Sequence, residues 1–364
     1  MVSIITVNYN QTGYTCALLD SIRRQDWQYV EVLVVDNASH ENPESVITTR
    51  YPEVKFIRSE RNLGFAGGNN LAVRQSKGEY LFFVNNDAEI TTGCIARLVA
   101  LFEEQPRLGI VSPLICYFPE TSPHPPTSNL QSPTSNLQLQ TSNFKLQTSN
   151  FKLQTSNLKL QTSNLKLQTP LPPDLIQYAG MTRVHPVTAR NRVIGNQQLD
   201  IGQYVMPGPT AYAHGAAMMV RREVMRRAGM MSEDFFLYYE ELDWCERIRQ
   251  AGYDVWIEPR ARIYHKESVT MQAMSGLKTY YLNRNRVWFM RKHQRGWRLL
   301  AFYGFLFLVT IPKNAIFYWL KGDKENLAAF LKGVWWNFGG RGDRFERFRS
   351  AEIPRNEAAK IAAH

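Results

Sequence analysis

Cysteine is sparse in this 364-residue chain, and its spacing excludes several kinds of protein. The four cysteines are scattered, without a CxxC pair, so neither a zinc site nor a disulfide framework is indicated. A reducing cytoplasm fits that pattern best. The first residues also lack the basic and apolar regions of a signal peptide, and residues 2–7 look like a strand, so we expect no export.

Long apolar runs are lacking as well. The apolar run at residues 299–312 has 14 residues, short of the roughly 20 that span a bilayer, and Pro312 interrupts it. Residues 271–364 carry 17 Lys and Arg against 6 Asp and Glu, which accounts for the whole net charge of +11. We therefore expect a tail that lies peripherally on an anionic membrane surface, with no nucleic-acid partner; a buried helical hairpin is the alternative.

Glycine is scarce where a dinucleotide enzyme needs it. Residues 2–118 alternate strand-like and helix-like segments, which predicts an α/β fold with a mostly parallel, Rossmann-like sheet. The first turn, residues 8–13, has one glycine where GxGxxG requires three, which argues against an NAD enzyme. We expect helices at residues 13–25, 67–76 and 91–105, and strands at 30–35, 54–57, 80–84 and 109–115.

A tandem repeat interrupts the chain after this half. Six seven-residue units, each beginning Thr-Ser-Asn, fill residues 127–168. Their apolar pairs are spaced 2 then 5, which does not suit a coiled coil, and an odd period gives no continuous face on a strand. We interpret residues 119–172 as a low-complexity, disordered insertion. Beyond it we expect strands at 212–220, 254–258 and 261–264, a helix at 222–228, and an acidic helix at 237–251 closed by Gly252.

Polar residues follow several of the predicted strands. Asp36 and Ser39 come after the second strand, where an acid can accept hydrogen bonds from a base or a ribose; an Asx turn is the alternative. Residues 61–70 place three glycines and three amides ahead of a predicted helix, where free N–H groups suit a diphosphate.

Two further groups suggest enzyme chemistry. Asp87, after Asn85 and Asn86, closes the strand 80–84 and can bind Mg²⁺ or Mn²⁺ on a diphosphate; His265 is a second candidate ligand. In the acidic helix, one carboxylate can act as a general base, although all of them could equally be solvated helix charges.

The order of these motifs resembles glycosyltransferase family 2, the inverting GT-A enzymes, and especially its bacterial rhamnosyltransferase-like members. The similarity covers residues 1–118 and about 173–295, in the following segments: 7–10 (VNYN), 35–39 (VDNAS), 62–70 (NLGFAGGNN), 85–87 (NND), 215–216 (GA), 236–247 and 265–268 (HKES). It implies a donor-binding half at 1–118, an acceptor-binding and catalytic half at 173–295, and a helical membrane-associated tail at 296–364.

The resemblance also implies the roles of individual residues. Asp87 is the remaining acid of a DxD metal motif, with His265 as a further metal ligand, and Asp36 contacts the nucleotide base. Glu241 falls on the base position, where the family has Asp, so Glu240 and Asp243 stay open as alternatives. The donor-binding residues are Asn8, Asn10, Asp36, Ser39, Asn62, Gly67, Asn69 and Asn86.

The implied function is metal-dependent transfer of rhamnose or another hexose, with inversion, in cell-surface polysaccharide assembly. The donor is a dTDP- or UDP-linked sugar, and the acceptor is a hydroxyl of a lipid-linked saccharide at the cytoplasmic face of the membrane. Transfer to a polyprenyl phosphate and a catalytically decayed scaffold are the alternatives. A QxxRW motif is lacking at residues 294–298, so we expect a single addition.

Overall fold

A computed structural model of the chain describes residues 1–119, 174–266 and 275–339. The predicted insertion, the motif residues 267–268 and the last residues of the tail lie outside this part. The elements of the first half, in chain order, are β1 (Val2–Asn8), α1 (Thr12–Arg23), β2 (Val30–Asp36), α2 (Glu44–Arg50), β3 (Val54–Arg58), α3 (Gly64–Val73), β4 (Tyr80–Val84), β5 (Ala88–Ile90), α4 (Cys94–Glu104) and β6 (Leu108–Tyr117).

The second half begins with three short strands and ends in helices. Its elements are β7 (Leu175–Tyr178), β8 (Gln198–Leu199), β9 (Gly208–Pro209), β10 (Ala217–Arg221), α5 (Arg222–Ala228), the acidic α6 (Glu240–Gln250), β11 (Asp254–His265), α7 (Ser275–His293), a long helix α8 (Gly296–Leu320) and α9 (Lys324–Trp335).

One central sheet joins the two halves. Its main path runs β3-β2-β1-β4-β10-β6-β11-β5, and β3, β2, β1 and β4 are parallel. Strand β10 lies antiparallel between β4 and β6, while β11 is parallel to β6. All five residues of β4 are buried, as expected for a strand covered by helices on both faces. The predicted α/β fold with a mostly parallel sheet is confirmed.

This topology collects the functional motifs at one edge of the sheet. Strands β1, β2 and β4 end there, so Asn8, Asp36 and residues 85–87 lie on neighbouring loops. Because β10 runs the opposite way, its first residue, Ala217, pairs with Val84 at the same edge. The carboxyl ends of parallel strands are the usual ligand-binding edge of an open α/β sheet.

Several predicted boundaries are wrong, each for a local reason. Helix α3 begins at Gly64 rather than at residue 67, because the Asn62 side chain accepts the Gly64 N–H at 2.9 Å. Strand β11 is continuous, since a register shift between Glu258 and Arg262 accommodates Pro259. Strand β10 begins at Ala217 instead of residue 212, since residues 214–216 make a tight turn in which His214 Nδ1 accepts the Ala216 N–H.

The start of the acidic helix was also misplaced. We expected it at residue 237, but it begins at Glu240. Three residues before it, Phe236, Tyr238 and Tyr239, have φ of 63°, 68° and 75°. These left-handed values are costly for bulky side chains and cannot continue a right-handed helix. The turn therefore delays the helix and fixes the direction in which its first carboxylates point.

The tail differs most from the sequence-based expectation. Pro312 does not interrupt the apolar run: a π-helical turn at Leu306–Thr310 precedes it, and the helix continues from Gly296 to Leu320. At 25 residues, α8 is long and apolar enough to cross a membrane by length and composition alone, so the argument that the run is too short to span is wrong. Helix α9 returns antiparallel along it, with ring contacts Tyr318–Phe330 and Phe307–Trp335.

Candidate functional site

The candidate metal ligands are adjacent. Asp87 lies in the turn between β4 and β5, and His265 is the last residue of β11, which pairs with β5 at Ala88. The His265 Nε2 lies 3.1 Å from Asp87 Oδ1, and both side chains are buried. Asn85 Nδ2 lies 3.4 Å from the same ring nitrogen. The structure thus brings together the two residues predicted to bind the metal.

This pair suits a divalent cation that also binds a diphosphate. Two adjacent ligands of an octahedral ion with bonds of about 2.1 Å lie about 3 Å apart, close to the separation of these two atoms. Among the described residues no group of three or more His, Cys, Asp or Glu could hold a metal. A cation held by Asp87 and His265 would therefore take its other ligands from phosphate oxygens and water, which Mg²⁺ accepts readily.

A buried hydrogen-bond network occupies the ends of β1 and β2. Asp36 Oδ1 accepts from Asn8 Nδ2 at 2.9 Å and from Ser39 Oγ at 2.5 Å. Its other oxygen accepts from the Ser39 N–H at 3.2 Å and faces Arg58 at 3.3 Å. The carboxylate is fully buried and has protein partners on both oxygens, so a nucleotide base that reaches it has to displace one of them.

Thr15 extends this network to the turn that contains Asn86 and Asp87. Its hydroxyl donates to Asn8 Oδ1 at 2.8 Å and accepts from Asn86 Nδ2 at 3.2 Å. Asn86, next to Asp87, is thereby joined through Thr15 and Asn8 to Asp36. Sequence reasoning missed Thr15, because a threonine inside a helix carries no motif signal of its own.

The other predicted donor-binding residues have structural partners too. Asn10, with φ of 55°, accepts the His40 N–H at 2.8 Å, and Asn62 accepts from Asn37 at 2.9 Å. Gly67 and Asn69 lie inside α3 rather than in a loop ahead of it, and Asn69 donates to Phe65 O in its own helix. The prediction of free backbone N–H groups at these two positions is therefore wrong.

Glu241 lies on the first turn of α6 and faces this edge of the sheet. A methyl group built on Gly215 would lie 3.9 Å from the Glu241 carboxyl carbon. The next residue, Ala216, accepts the Asn85 N–H at 2.9 Å, two positions before Asp87. Burial raises the pKa of Glu241 to about 7. Hydrogen bonds from nearby backbone N–H groups lower this pKa, but by less than burial raises it. Glu241 is half-buried, and it has the basicity that suits proton transfer near neutral pH.

The two neighbouring carboxylates have different surroundings. Glu240 is 4% exposed, and burial together with the charge of Glu241 raises its pKa well above the usual range. Asp243 is fully buried, but the hydrogen bond from His293 and the charges of Arg247 and Lys292 outweigh burial and lower its pKa to about 2. Asp243 is therefore the weakest base of the three, and it ties α6 to α7 by ion pairs.

Asn285, on α7, supports the turn that precedes α6. Its Nδ2 donates to the carbonyl oxygens of Phe235, Leu237 and Tyr238 at 2.9, 2.7 and 2.8 Å. The same turn meets the donor half, because the Phe65 N–H donates to Phe236 O at 2.8 Å. A Cβ at Gly64 would lie 2.3 Å from that carbonyl oxygen, so this close approach requires glycine. Asn285 was not singled out from the sequence, since its partners are 47 to 50 residues away.

The sequence model for glycosyl transferase family 2 matches residues 3–165, which include Asn8, Asp36 and Asp87. Over these residues the chain is similar to a glycosyltransferase family 2 domain. The resemblance drawn from the motifs is thus confirmed.

Curated relatives agree with this assignment. An uncharacterized glycosyltransferase of Haemophilus influenzae is 32% identical over 30% of this chain and 37% of its own length. An N-acetylglucosaminyl-diphospho-decaprenol L-rhamnosyltransferase of Mycobacterium tuberculosis is 20% identical over 81% of this chain and 86% of its own. The match to the Haemophilus protein, like that to a Bacillus subtilis glycosyltransferase, spans little more than a third of the relative's length.

Solved structures show the fold. A mannosyltransferase from Pyrobaculum calidifontis, in complex with GDP-Man and Mn²⁺, superposes with a TM-score of 0.51 at 15% identity, covering 92% of this chain and 87% of its own. Residues 1–349 of Staphylococcus aureus TarS with UDP-GlcNAc give 0.51 at 16% identity, covering 91% and 79%. The chain has the GT-A fold.

Proposed function

We propose that this protein transfers a hexose, rhamnose or a similar sugar, from a nucleotide-diphosphate donor to a hydroxyl group, with inversion and with Mg²⁺ or Mn²⁺. One observation carries the proposal. A carboxylate with a pKa of about 7, Glu241, lies across Gly215 and Ala216 from the turn that holds Asp87 against His265. A base and a diphosphate-binding metal site on opposite sides of one cleft are what single displacement requires.

In the proposed mechanism Glu241 accepts the proton of the acceptor hydroxyl. The hydroxyl oxygen bonds to the anomeric carbon as the bond to the nucleotide diphosphate breaks on the opposite face, so configuration inverts. Asp87 and His265 would hold the divalent ion, which stabilises the charge of the leaving diphosphate. Because burial raises its pKa to about 7, Glu241 can both accept and release a proton near neutral pH.

We place the donor, a dTDP- or UDP-linked sugar, along the edge formed by β1, β2 and β4. The proposed donor-binding residues are Asn8, Asn10, Asp36, Ser39, Asn62, Gly67, Asn69 and Asn86. The buried Asp36 network supports a rigid floor for the base, and Asn86 reaches that floor through Thr15. Gly67 and Asn69 act from within α3, which lies close to β1 at the adjacent Gly68: a Cβ there would lie 3.0 Å from Val7.

The experiment is donor turnover by the purified chain. UDP- and dTDP-sugars are supplied with Mn²⁺, and release of the nucleotide diphosphate is measured with and without acceptor. We expect release with at least one donor, and loss of metal-dependent donor binding in Asp87→Asn, which keeps the shape of the side chain but removes its charge. Equal Mn²⁺-dependent affinity in Asp87→Asn and wild type would contradict the metal assignment.

For the acceptor we propose a lipid-linked saccharide at the cytoplasmic face of the membrane. The mycobacterial relative is named for such an acceptor, a decaprenol-linked N-acetylglucosamine. Helix α8 supports this choice: its outer side exposes large apolar residues, among them Trp297, Leu300, Leu308, Trp319 and Leu320, each about 70 to 80% exposed. Single exposed apolar residues are common, but several large ones on one helix are typical of a membrane contact.

The packing of α9 favours a peripheral helix over a spanning one. Asn337, just beyond α9, donates to Arg284 O of α7 at 3.0 Å, so the hairpin of α8 and α9 returns to the catalytic body. Lys313 lies seven residues before the end of α8, where a spanning helix would bury its charge in hydrocarbon. Lying along the surface leaves that charge among anionic headgroups.

Vesicle binding tests this placement. We expect the protein to co-sediment with vesicles containing anionic lipid and to be released as salt rises, because charge attraction acts only within a Debye length. Trp297→Ser with Leu300→Ser should weaken binding without changing donor affinity. Retention through a carbonate wash would contradict the peripheral placement and indicate an inserted hairpin.

We also propose that residues 119–172 are an insertion into a complete fold. Strands β6 and β7, on either side of it, pair antiparallel through Cys116 and Ile176, so the two ends of the segment lie close together. Chain inserted between such ends is tolerated in the way a hairpin loop is. The boundaries 1–118, 173–295 and 296–364 follow from the same proposal, with α7 joining the catalytic half to the tail.

A further inference from the structure

We infer that Gln177 is a positioning residue for His265: its side-chain oxygen fixes which ring nitrogen of the histidine faces the metal site. This inference rests on the proposed function, because it concerns the proposed metal ligand. It adds a residue that lies beyond the segment matched by the family model, which ends at residue 165.

The sheet places Gln177 beside His265. Gln177 lies on β7, and β7 pairs antiparallel with β6. Strand β6 in turn pairs with β11, so that Tyr117 lies opposite His265. The Gln177 side chain is 7% exposed, and its Oε1 lies 2.9 Å from His265 Nδ1. This is a buried, short contact between an acceptor oxygen and a ring nitrogen.

The chemistry of the two groups fixes the tautomer. A carboxamide oxygen only accepts hydrogen bonds, so His265 Nδ1 has to carry the proton. A neutral imidazole protonated at Nδ1 has its lone pair on Nε2. Nε2 is the atom that lies 3.1 Å from Asp87 Oδ1. Because of the Gln177 contact, the lone pair that can bind a metal ion lies on Nε2, on the side of the ring that faces Asp87.

With a cation bound at Asp87 and His265, the opposite tautomer would be unfavourable on both sides of the ring. Its Nδ1 lone pair would face the Gln177 oxygen, placing two acceptors 2.9 Å apart. Its Nε2–H would point to the position of the cation. Partners behind a metal-binding histidine commonly fix its tautomer in this way, and their loss lowers metal affinity by about 10- to 100-fold.

Two substitutions at Gln177 separate the tautomer from packing. Gln177→Met keeps the length of the side chain and removes the acceptor, whereas Gln177→Glu keeps the acceptor and adds charge. Gln198→Met serves as a matched control, since Gln198 lies exposed on β8, the strand that pairs with β7. Melting temperatures measured without metal identify any variant that fails to fold.

The first measurement is Mn²⁺ affinity in the presence of UDP, read from the electron paramagnetic resonance signal of free Mn²⁺. We expect Gln177→Met to weaken binding about 10- to 100-fold, and Gln177→Glu and Gln198→Met to bind Mn²⁺ at least as tightly as wild type. Wild-type affinity in Gln177→Met overturns the role of Gln177 alone. Failure of the wild type itself to bind Mn²⁺ overturns both this role and the metal site of the proposed function.

The second measurement needs neither metal nor activity, and every protein in it carries Asp87→Ala, because without a cation the Asp87 carboxylate accepts an Nε2–H of His265. Wild type here refers to residue 177 alone. Two-bond ¹H–¹⁵N spectra of histidine-labelled protein report which ring nitrogen carries the proton. We expect His265 to be protonated at Nδ1 in wild type and in Gln177→Glu, and to shift toward Nε2 protonation in Gln177→Met. A His265 protonated at Nε2 in the wild type overturns the inference even if the metal site is real.

Discussion

Two carboxylates that lie two residues apart on α6 have different surroundings, and their pKa values are shifted in opposite directions. Glu241 faces the sheet edge, and no cationic side chain forms an ion pair with it in the described parts of the chain. Asp243 faces α7 and is held by Arg247, Lys292 and His293. Burial dominates at Glu241 and raises its pKa, whereas ion pairs outweigh burial at Asp243 and lower its pKa. The comparison separates a carboxylate whose raised pKa suits proton transfer from one whose ion pairs join α6 to α7.

The largest effect should follow from removing the base. Glu241→Gln keeps the size of the side chain but cannot accept the acceptor's proton. We expect donor affinity within about twofold of wild type and turnover lower by roughly 10²- to 10⁴-fold. Steady-state kinetics with saturating donor, together with donor titration, separate these two quantities. A comparable loss in Asp243→Asn with an active Glu241→Gln would move the base to Asp243.

Removing Asp243 should instead reduce stability. Asp243→Asn leaves three partly buried cationic or polar groups without their carboxylate, and we expect a loss of about 3 kcal/mol in the free energy of unfolding. Denaturant unfolding measures it. Asp254→Asn is the matched control, because Asp254 and its partner Arg107 are 43% and 76% exposed and lie 3.7 Å apart. A near-zero effect of Asp243→Asn would contradict the structural role.

The two carboxylates also predict losses on acidification that occur at well-separated pH values. Turnover should fall about tenfold per pH unit below about 7, since only ionised Glu241 accepts a proton. Stability from Asp243, whose pKa is depressed, is present above its unfolded value of about 3.9 and is lost as pH falls toward about 2. Kinetic and unfolding profiles recorded from pH 2 to 9 should therefore show the loss of turnover at a higher pH than the loss of stability contributed by Asp243. A turnover that stays level down to pH 5 would contradict the assignment of Glu241.

Sequence reasoning identified the parts of this site that lie close in the chain. The positions of β1, β2 and β4 and of the polar residues at their ends follow from alternating segments and local polar motifs. Residues whose partners lie far along the chain were missed. Gln177 and Asn285 act on residues 88 and about 50 positions away, and no local pattern marks either of them. The bulky left-handed residues before α6 likewise depend on tertiary contacts for their conformation.

The tail shows the same limit. Hydropathy located the apolar residues of the tail. The rule that proline ends a helix predicted a break there, but a π-helical turn precedes the proline and the helix continues, which only the structure reveals. Which face of α8 is covered depends on α9, and nothing in the sequence of α8 states that packing. Local composition predicted an apolar surface on the tail. The packing of α9 against α8 decides how much of that surface stays exposed.

The smallest effect is expected at Glu240, the residue before Glu241. Burial and the charge of Glu241 raise its pKa well above the usual range, which favours the neutral form of Glu240 while Glu241 is ionised. Glu240→Gln replaces one neutral group by another of the same shape, and we expect turnover within about threefold of wild type and little change in stability. The same kinetic and unfolding measurements test it. A loss as large as that in Glu241→Gln would show that Glu240 carries the charge of the pair and exchanges roles with its neighbour, since two carboxyl groups this close ionise one at a time.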